Sequence, residues 1–470
     1  MRGFRVVRLG LPLHGPGIAL LMLFAAACTN APPRPNVLLI TLDTTRADHL
    51  GCYGYPKNTS PHLDRLAASG VLFEHASAQA AVTNVSHASI LTGLNPYTHG
   101  LRVLHGVAEN RLAASHTTLA EFFQDAGYQT GAFVSAFPVT ARFGLDQGFQ
   151  IFDAEFMTVP EEQAIGPGGV VNTGGNQRRA GDTTDAALTW LAKTEGPFFL
   201  WVHYFDPHDT QLLPPDDYLR RYPALRTDDN RSRLRAAYDM EIGYMDFHIG
   251  RLLEELRDKG LLEQMVVVAT SDHGEGLGDH DWWTHGVLYQ EQIRVPLMIK
   301  APTVPAGRQV SHLVRTIDIV PTVLELVGLH APAQSVIEGR SLVPLFEDGA
   351  EDPGYVAYAD SVNMLTYGSP GGIQDIKDDM LFSVTQVPWK FIYHAGRPTN
   401  SKLYDLAQDP EESQNLFTSN RAEARRMNAL LQALDFEPEA PPSPDKMSQT
   451  DRAALEALGY VSERPGGQLR

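Results

Sequence analysis

One threonine and a few acid and imidazole side chains have the residue types needed for ester cleavage. Thr83 precedes residues 86–89, small residues that can open a helix and aim the Thr83 hydroxyl at an anion. A metal would lower the pKa of that hydroxyl and make it a nucleophile at neutral pH. Asp43 and the adjacent pair Asp272 and His273 are the predicted metal ligands. This donor set suits Zn²⁺ or Mn²⁺, with Ca²⁺ and Mg²⁺ left open. For Thr83 and Asp43, the alternative is a helix cap.

Six of the 17 histidines fall in the segments that carry these groups: His87, His203, His208, His273, His280 and His285. We predict that His208 and His285 stabilise charge on the ester or protonate the leaving oxygen. His87 is a candidate for contacting an anionic oxygen, with a packed structural role as the alternative. Asp206 could join His208 and His285 in holding a second metal. His203 lies within an apolar run, so we interpret it as structural.

Apolar runs and helical patterns alternate along the chain. Buried strands are predicted at residues 36–43, 197–203 and 265–272, and helices at residues 117–126, 182–193 and 232–259. This alternation predicts an α/β fold with a largely parallel sheet that is covered on both faces. Ligands bind such sheets at the carboxyl ends of the strands. Asp43, Asp272 and the pair Asp206 and His208 all follow predicted strands, so we expect them at one edge.

The pattern changes after residue 329 to shorter segments such as residues 381–384 and 390–393, which predict a small, partly antiparallel subdomain. The predicted organisation is a signal peptide at 1–28, a linker at 29–35, a catalytic domain at 36–330, a C-terminal subdomain at 331–430 and a tail at 431–470. Within that tail, residues 451–458 could form a short helix. Residues 155–181 and 211–229 are predicted to be specificity loops.

The first 28 residues have the features of an export signal of the lipoprotein type. Arg2, Arg5 and Arg8 precede a short apolar run, and small residues then lead to Cys28. We expect Cys28 to be lipidated after cleavage, with plain secretion as the alternative. Thr29 follows it, and its resemblance to bacterial lipoproteins implies retention in the outer membrane. The predicted location is therefore the cell envelope: the outer membrane or the periplasm.

The composition restricts the partners of the mature chain. The formal net charge of the full sequence, −18, argues against a nucleic-acid partner, which would require a basic surface. An anionic substrate must therefore be bound by a local site. Once Cys28 carries the lipid, Cys52 is the other of the two cysteines, so no disulfide is expected within the mature chain. Cys52 itself is interpreted as a small buried residue.

Several short motifs occur together and in order. They are DTTRADHLGCY from Asp43, TSPHLDRLAASGVLF from Thr59, SHASILTG from Ser86, TSDHGE from Thr270, RVPL from Arg294 and LYDLAQDPEESQNL from Leu403. With these motifs over most of residues 35–420, the chain resembles the sulfatase family of the alkaline phosphatase superfamily. The resemblance implies an α/β/α sandwich with a small C-terminal α+β subdomain, and a divalent metal that touches the nucleophile. It places Asp43, Asp272 and His273 at metal-ligand positions and Thr83 at the nucleophile position. His208 and His285 match the region that holds the ester oxygens.

Three positions depart from the family pattern. Thr83 stands where the family has a cysteine or serine that is oxidised to formylglycine, so no formylglycine is expected. Thr44 replaces the second acid after Asp43. The segment GAFVSAFP at residues 131–138 replaces Gly-Lys-Trp-His. A sulfated formylglycine hydrate can collapse by losing sulfate, whereas a threonine ester must be attacked by water. Thr83 therefore favours phosphoester or phosphodiester cleavage over sulfate ester cleavage.

The prediction is a metal-dependent hydrolase of sulfuric or phosphoric esters with a threonine nucleophile. Its substrate would be an anionic ester: a small molecule, a glycan or a lipid head group. A transferase that moves a phospho-group at the membrane surface is one alternative. A catalytically silent binding protein that keeps the fold is the other.

Overall fold

The structure, a computed structural model, describes residues 34–102, 111–156, 176–208, 214–215, 218, 230–361, 379–434 and 436, the side chains of residues 230 and 231 excepted. These residues belong to one compact unit that begins at Arg34. Cys28, the predicted signal peptide, the terminal helix at 451–458 and most of the two predicted specificity loops lie outside the described residues. The proposed domain limits stay predictions.

A mixed sheet of eight strands forms the centre of the molecule. Its strands are β1 (Val37–Leu42), β2 (Val71–Ser77), β3 (Gln129–Phe133), β4 (Ile151–Asp153), β5 (Phe198–Tyr204), β6 (Val266–Ser271), β7 (Arg294–Lys300) and β8 (Arg308–Arg315). Their order across the sheet is β4-β3-β5-β1-β6-β7-β2-β8. The three strands predicted from apolar runs are β1, β5 and β6, and they are neighbours. β1 pairs in parallel with both of the others, whereas β7 is antiparallel to β6 and β2.

Helices cover both faces of this sheet. They are α1 (Pro61–Ala68), α2 (Thr83–Thr92), α3 (Pro96–His99), α4 (Leu119–Asp125), α5 (Ala180–Leu191), α6 (Asn230–Asp258), α7 (Gln290–Ile293) and α8 (Ile319–Leu326). The three helices predicted from the sequence correspond to α4, α5 and α6, with ends that differ by one or two residues. Thr118 explains the start of α4, because its side chain and that of Glu121 form a capping box.

Alternating residues of the central strands divide the core into two layers. On one face Leu39, Trp201 and Val268 pack with α2, α4 and α8. On the other face Ile40 and Val202 pack with α1, α5 and α6. Because successive strand side chains point to opposite faces, strands that are apolar throughout bury both sides of the sheet. The result is the α/β/α sandwich that the sequence predicts.

A second sheet follows in the C-terminal part. Its four strands are β9 (Ala357–Ser361), β10 (Leu381–Gln386), β11 (Trp389–His394) and β12 (Lys402–Asp405). They are antiparallel and lie in the order β12-β11-β10-β9. Helix α9 (Arg421–Gln432) packs on this sheet through Met427 and Leu431. The sheet contacts the main domain beside the start of α2, because Asp360 of β9 forms a β-bridge with Ala80, three residues before Thr83.

Candidate active site

Three adjacent strands end in the polar residues that the sequence singled out. Leu42, the last residue of β1, is in register with Tyr204 of β5 and Ser271 of β6. Asp43 and Asp272 are the next residues along β1 and β6. The carboxyl ends of parallel strands lie at one edge of a sheet, so these strands deliver the two aspartates to the same place. Helix α2 begins there with Thr83.

Asp43 is fully buried and held by one of its two oxygens. Its Oδ2 lies 3.1 Å from Nε2 of His203, whereas its Oδ1 has no hydrogen-bond partner of normal geometry. Burial, followed by the negative charges of Asp272 and Glu275, raises the pKa of Asp43 well above its usual range. The hydroxyl of Thr83 acts in the opposite direction and stabilises the carboxylate. A cation beside Oδ1 would relieve this unfavourable burial of charge.

Asp272 shows the same division between its oxygens. Its Oδ1 accepts hydrogen bonds from the backbone N–H groups of His273 at 2.8 Å and Thr44 at 3.1 Å. Its Oδ2 is buried without a partner of normal geometry. Burial raises the pKa of Asp272 to about 6. Thr44 has a φ of 50°, unusual for a β-branched residue, and Tyr238 donates to its carbonyl oxygen at 2.6 Å.

His273 presents an unprotonated nitrogen to the two aspartates. Its Nδ1 donates to the carbonyl oxygen of Gly274 at 2.9 Å, which leaves the lone pair on Nε2. Burial lowers the pKa of His273 to about 4, so its ring is neutral at neutral pH. One ligand atom from each of Asp43, Asp272 and His273 lies within 4.8 Å of the other two. Within the described ranges, no other group of three or more acid, histidine or cysteine ligands meets this spacing.

The residues present fit a divalent cation. Two buried carboxylate oxygens, Asp43 Oδ1 and Asp272 Oδ2, lack hydrogen-bond partners of normal geometry, and the lone pair of His273 Nε2 lies beside them. Buried polar atoms without partners are costly, and their convergence on one point is what a metal would satisfy. Two carboxylates and one neutral imidazole are hard and borderline donors of the kind that bind Zn²⁺ and Mn²⁺.

Thr83 lies directly beside this group. It is fully buried and is the first residue of α2, and its Oγ1 lies 3.2 Å from His273 Nε2. The helix begins three residues earlier than the small-residue pattern suggests. The residue before it, Val82, makes no side-chain cap, and Thr83 is already helical, so the alternative of Thr83 as a helix cap does not hold. Ser86 ties the same turn to the site by donating to the backbone oxygen of Asp272 at 2.6 Å.

His87 lies one turn further along α2, with both ring nitrogens engaged. Nδ1 donates to the carbonyl oxygen of Thr83 at 2.8 Å, and Nε2 lies 3.0 Å from Thr41 Oγ1. Because Nδ1 carries the proton of the neutral ring, Nε2 accepts from the Thr41 hydroxyl, whose oxygen in turn accepts from the indole of Trp201 at 2.9 Å. His87 therefore braces the start of α2 against β1. Its predicted contact with an anionic oxygen of the substrate stays a prediction.

His208 and His285 come together although 77 residues separate them. Their Nε2 atoms are 3.3 Å apart. His285 Nδ1 donates to the carbonyl oxygen of Ala81 at 2.9 Å, and the His285 ring lies 4.4 Å from that of His273. Burial lowers the pKa of both: that of His285 to about 3, and that of His208 well below its usual range. The ring of Phe205 stacks on His208 at 4.3 Å.

Asp206 and His280 have other partners. Asp206 Oδ1 accepts from the backbone N–H of Ala180, the first residue of α5, at 3.0 Å, and burial raises the pKa of Asp206 to about 6. The second metal site predicted for Asp206, His208 and His285 is not among the ligand groups that meet the 4.8 Å spacing within the described ranges, and it stays a hypothesis. His280 lies 2.9 Å from Glu291 and stacks on Tyr289.

The chain also matches a family model over most of the residues that build this site. The model described as "Sulfatase" matches residues 35–329, and the one described as "N-sulphoglucosamine sulphohydrolase, C-terminal" matches residues 278–436. The chain belongs to the sulfatase family. Membership makes this sulfatase-family protein an ester-hydrolysing enzyme, acting on sulfuric or phosphoric esters.

Individual relatives agree with that assignment. The sulfatase-family enzyme is 26% identical to an arylsulfatase of Clostridium perfringens, with the match covering 83% of this chain and 92% of the relative. It is 24% identical to an N-acetylglucosamine-6-O-sulfatase of Bacteroides thetaiotaomicron, with 89% of each covered. The crystal structure of a phosphonate monoester hydrolase of Agrobacterium radiobacter superimposes with a TM-score of 0.67 at 23% identity, covering 86% of this chain and 95% of that one. The last likeness shows the shared fold.

The sequence singled out Asp43, Asp272, His273 and Thr83, which the structure brings together, but it missed what His203 touches. The sequence favours a structural role because His203 lies in a strand; the structure places its ring on Asp43. The available signal was an ionisable side chain inside a strand that is otherwise apolar, since such a group needs a buried partner. Cys52 is a free cysteine and only half-buried. No helix among the described residues is long and apolar enough to cross a lipid bilayer.

Proposed function

We propose that this enzyme is a metal-dependent hydrolase that cleaves its ester through Thr83. The observation that carries the proposal is the position of the Thr83 hydroxyl. It lies 3.2 Å from His273 Nε2, at the point where Asp43 and Asp272 also converge. A packing or capping role alone does not explain why this hydroxyl lies beside two buried aspartates and an unprotonated imidazole nitrogen.

Asp43, Asp272 and His273 would hold the ion, with Thr83 beside them. The bound ion would lower the pKa of the Thr83 hydroxyl and stabilise negative charge on the ester. Zn²⁺ and Mn²⁺ suit the donors best, and Ca²⁺ is the third candidate. The second metal at Asp206, His208 and His285 remains part of the hypothesis, to be decided by the number of ions bound per chain.

The chain's own residues then account for the steps of cleavage. Thr83 loses its proton to water and attacks the phosphorus or sulfur, so that a bond to Oγ1 forms as the bond to the leaving oxygen breaks. The pair His208 and His285 supports this step by stabilising charge, or by giving the departing oxygen a proton that one of these two neutral imidazoles has first taken up. Water next attacks the threonine ester, releases phosphate or sulfate and restores the hydroxyl. His87 holds the first turn of α2, and with it Thr83, in place.

The threonine favours phosphoryl over sulfuryl transfer. A threonine ester cannot eliminate its anion as a formylglycine hydrate does, so the enzyme depends on attack by water at the central atom. We therefore expect phosphodiester or phosphomonoester cleavage to exceed sulfate ester cleavage. The names of the relatives support a glycan substrate, because one of them is an N-acetylglucosamine-6-O-sulfatase. A lipid head group or a small anionic ester is the other candidate.

The direct test replaces Thr83 and follows turnover of three chromogenic esters. These are 4-nitrophenyl sulfate, 4-nitrophenyl phosphate and bis(4-nitrophenyl) phosphate, each assayed with Zn²⁺, Mn²⁺ and Ca²⁺. Thr83→Ala should lower kcat by about a thousandfold or more, as expected for a nucleophile. Thr83→Ser keeps the hydroxyl and should retain measurable turnover. Mass spectrometry of rapidly quenched wild-type enzyme should find the phospho-group on Thr83.

Thr92→Ala is the matched control. Thr92 is an equally buried threonine at the other end of α2, and its hydroxyl donates to the carbonyl oxygen of Ala88. This variant should keep the wild-type rate. Wild-type turnover in Thr83→Ala would exclude Thr83 as the nucleophile. Transfer of the phospho-group to an added alcohol in preference to water would favour the transferase alternative, and no turnover with any ester or ion would favour the silent binding protein.

The location in the cell envelope is part of the same proposal. It rests on the sequence of the first 29 residues, because Cys28 lies outside the described residues. Metabolic labelling with palmitate should mark the full chain in a bacterial host, and Cys28→Ser should abolish the label and release the protein from the membrane fraction. Equal labelling of both would show that Cys28 is not the lipid attachment site.

A further inference from the structure

His203 is a buried imidazole that the proposed chemistry does not yet use. It lies near the end of β5, is fully buried, and its Nε2 is 3.1 Å from Asp43 Oδ2. A histidine can donate or accept through either nitrogen, so the meaning of this contact depends on which nitrogen carries the proton. The neighbours of the other nitrogen decide that question.

Ser135 fixes the tautomer of His203. The backbone N–H of Ser135 donates to His203 Nδ1 at 3.2 Å. A backbone N–H can only donate, so Nδ1 must be an acceptor, and a neutral His203 then carries its proton on Nε2. The Ser135 hydroxyl reinforces the arrangement by donating to the carbonyl oxygen of His203 at 2.6 Å. Ser135 lies in the segment at residues 131–138 that departs from the family pattern.

The protonated Nε2 therefore donates to Oδ2 of Asp43, so the other oxygen, Oδ1, is the one that faces the ligand group. Oδ1 is the oxygen without a hydrogen-bond partner of normal geometry, and it belongs to the group formed with Asp272 and His273. We propose that His203, held by Ser135, is a positioning residue that fixes Asp43 as a ligand through Oδ1 alone. This inference rests on the metal-dependent function proposed above. Partners of this kind orient metal ligands, and they commonly contribute about 10- to 100-fold to metal affinity.

The test measures metal affinity in the absence of any substrate. Purified full-length protein, freed of metal, is titrated with Zn²⁺ and with Mn²⁺ by calorimetry or by competition with a chelator. His203→Leu keeps much of the volume but removes the donor, and it should weaken binding by about 10- to 100-fold. His203→Gln offers an amide N–H near the position of Nε2 and should recover most of that loss. Such recovery would not follow from a role in packing alone.

His99→Gln is the matched control. His99 is also a buried histidine, but its nitrogens bond to Ser89 and to the backbone N–H of Leu101. This variant should bind Zn²⁺ and Mn²⁺ as the wild type does. A measurement that needs no variant is the ¹⁵N spectrum of the histidines in the wild type. It should show His203 as the Nε2–H tautomer, and finding the proton on Nδ1 would overturn the proposal even if His203→Leu does not fold.

Three further results would also overturn it. Wild-type affinity in folded His203→Leu would show that Asp43 needs no support from His203. Equal losses in His203→Leu and His203→Gln would show that shape, and not the donated hydrogen bond, is what matters. Failure of the wild type to bind any of the divalent ions would remove this inference together with the metal-dependent function, whereas the first two results would leave that function intact.

Discussion

Replacing Asp272 with asparagine should make the metal-free enzyme more stable while it removes metal binding. In the absence of an ion, Asp43 and Asp272 are two buried carboxylates; burial raises the pKa of both, and the negative charge of Asp272 further raises the pKa of Asp43. Asparagine is nearly isosteric with aspartate. Its oxygen can keep the two backbone hydrogen bonds that Asp272 Oδ1 now accepts. Its NH₂ group would take the place of Oδ2, the oxygen without a partner, and could donate to Asp43.

The magnitude follows from the pKa of Asp272. Burial raises that pKa from its ordinary 3.8 to about 6. At about 1.4 kcal/mol for each pH unit, ionised Asp272 lowers the free energy of unfolding by about 3 kcal/mol. Because the folded-state pKa lies above the unfolded one, the wild type loses stability as the pH rises through about 6. The advantage of Asp272→Asn should therefore be full above pH 6 and fade toward pH 4, at about the unfolded pKa.

The assay is equilibrium unfolding in urea with EDTA present, at pH 8 and again at pH 5. At pH 8 we expect Asp272→Asn to unfold at a higher urea concentration than the wild type. Adding Zn²⁺ or Mn²⁺ in excess should stabilise the wild type by linkage and leave the variant nearly unchanged. Turnover of the esters should fall with metal affinity. The variant would thus be a more stable and less active enzyme.

Asp239→Asn is the control with the opposite expected sign. Burial opposes ionisation of Asp239, but hydrogen bonds from His49, Lys57 and Tyr55 outweigh it and lower its pKa. The same substitution there should destabilise the protein at pH 8. If Asp272→Asn were instead less stable than the wild type in EDTA at pH 8, the two aspartates would not form a strained, ion-free ligand pair.

Three further substitutions test the fold outside the active site by urea unfolding. The Lys390 ammonium lies 2.8 Å from the buried carboxylate of Glu412. Lys390→Met leaves Glu412 without its charge partner and should lower the free energy of unfolding by about 3–5 kcal/mol. An unchanged free energy of unfolding would show that the pair is not ionised. Gly70→Ala would bring a Cβ to 2.3 Å from the carbonyl oxygen of Ile299 and should lower the free energy of unfolding by about 1–3 kcal/mol. A urea midpoint equal to that of the wild type would contradict this expectation. Thr118→Ala removes the cap of α4 and should cost about 1 kcal/mol, whereas Thr118→Ser should lose less.

The strands, and the polar residues that converge at their ends, were predictable because they depend on local patterns. The apolar runs predict β1, β5 and β6, since a strand buried on both faces must be apolar throughout. The motif order indicates the family and places Asp43, Asp272, His273 and Thr83 in the site. The start of α2 was less predictable. Its first turn is held by Ser86 and His87 through contacts with distant strands, and the composition of residues 86–89 alone pointed to a later start.

By itself, the sequence determined which residues could act, because residue type fixes what each side chain can donate, accept or attack. Only the tertiary structure decided how they are paired. In the structure, His203 of β5 contacts Asp43, and Nε2 of His208 lies 3.3 Å from Nε2 of His285. Asp206 accepts a hydrogen bond from the first residue of α5. The physical reason is that such pairings join atoms from separate elements, and the register of the strands and the packing of the helices set their distances.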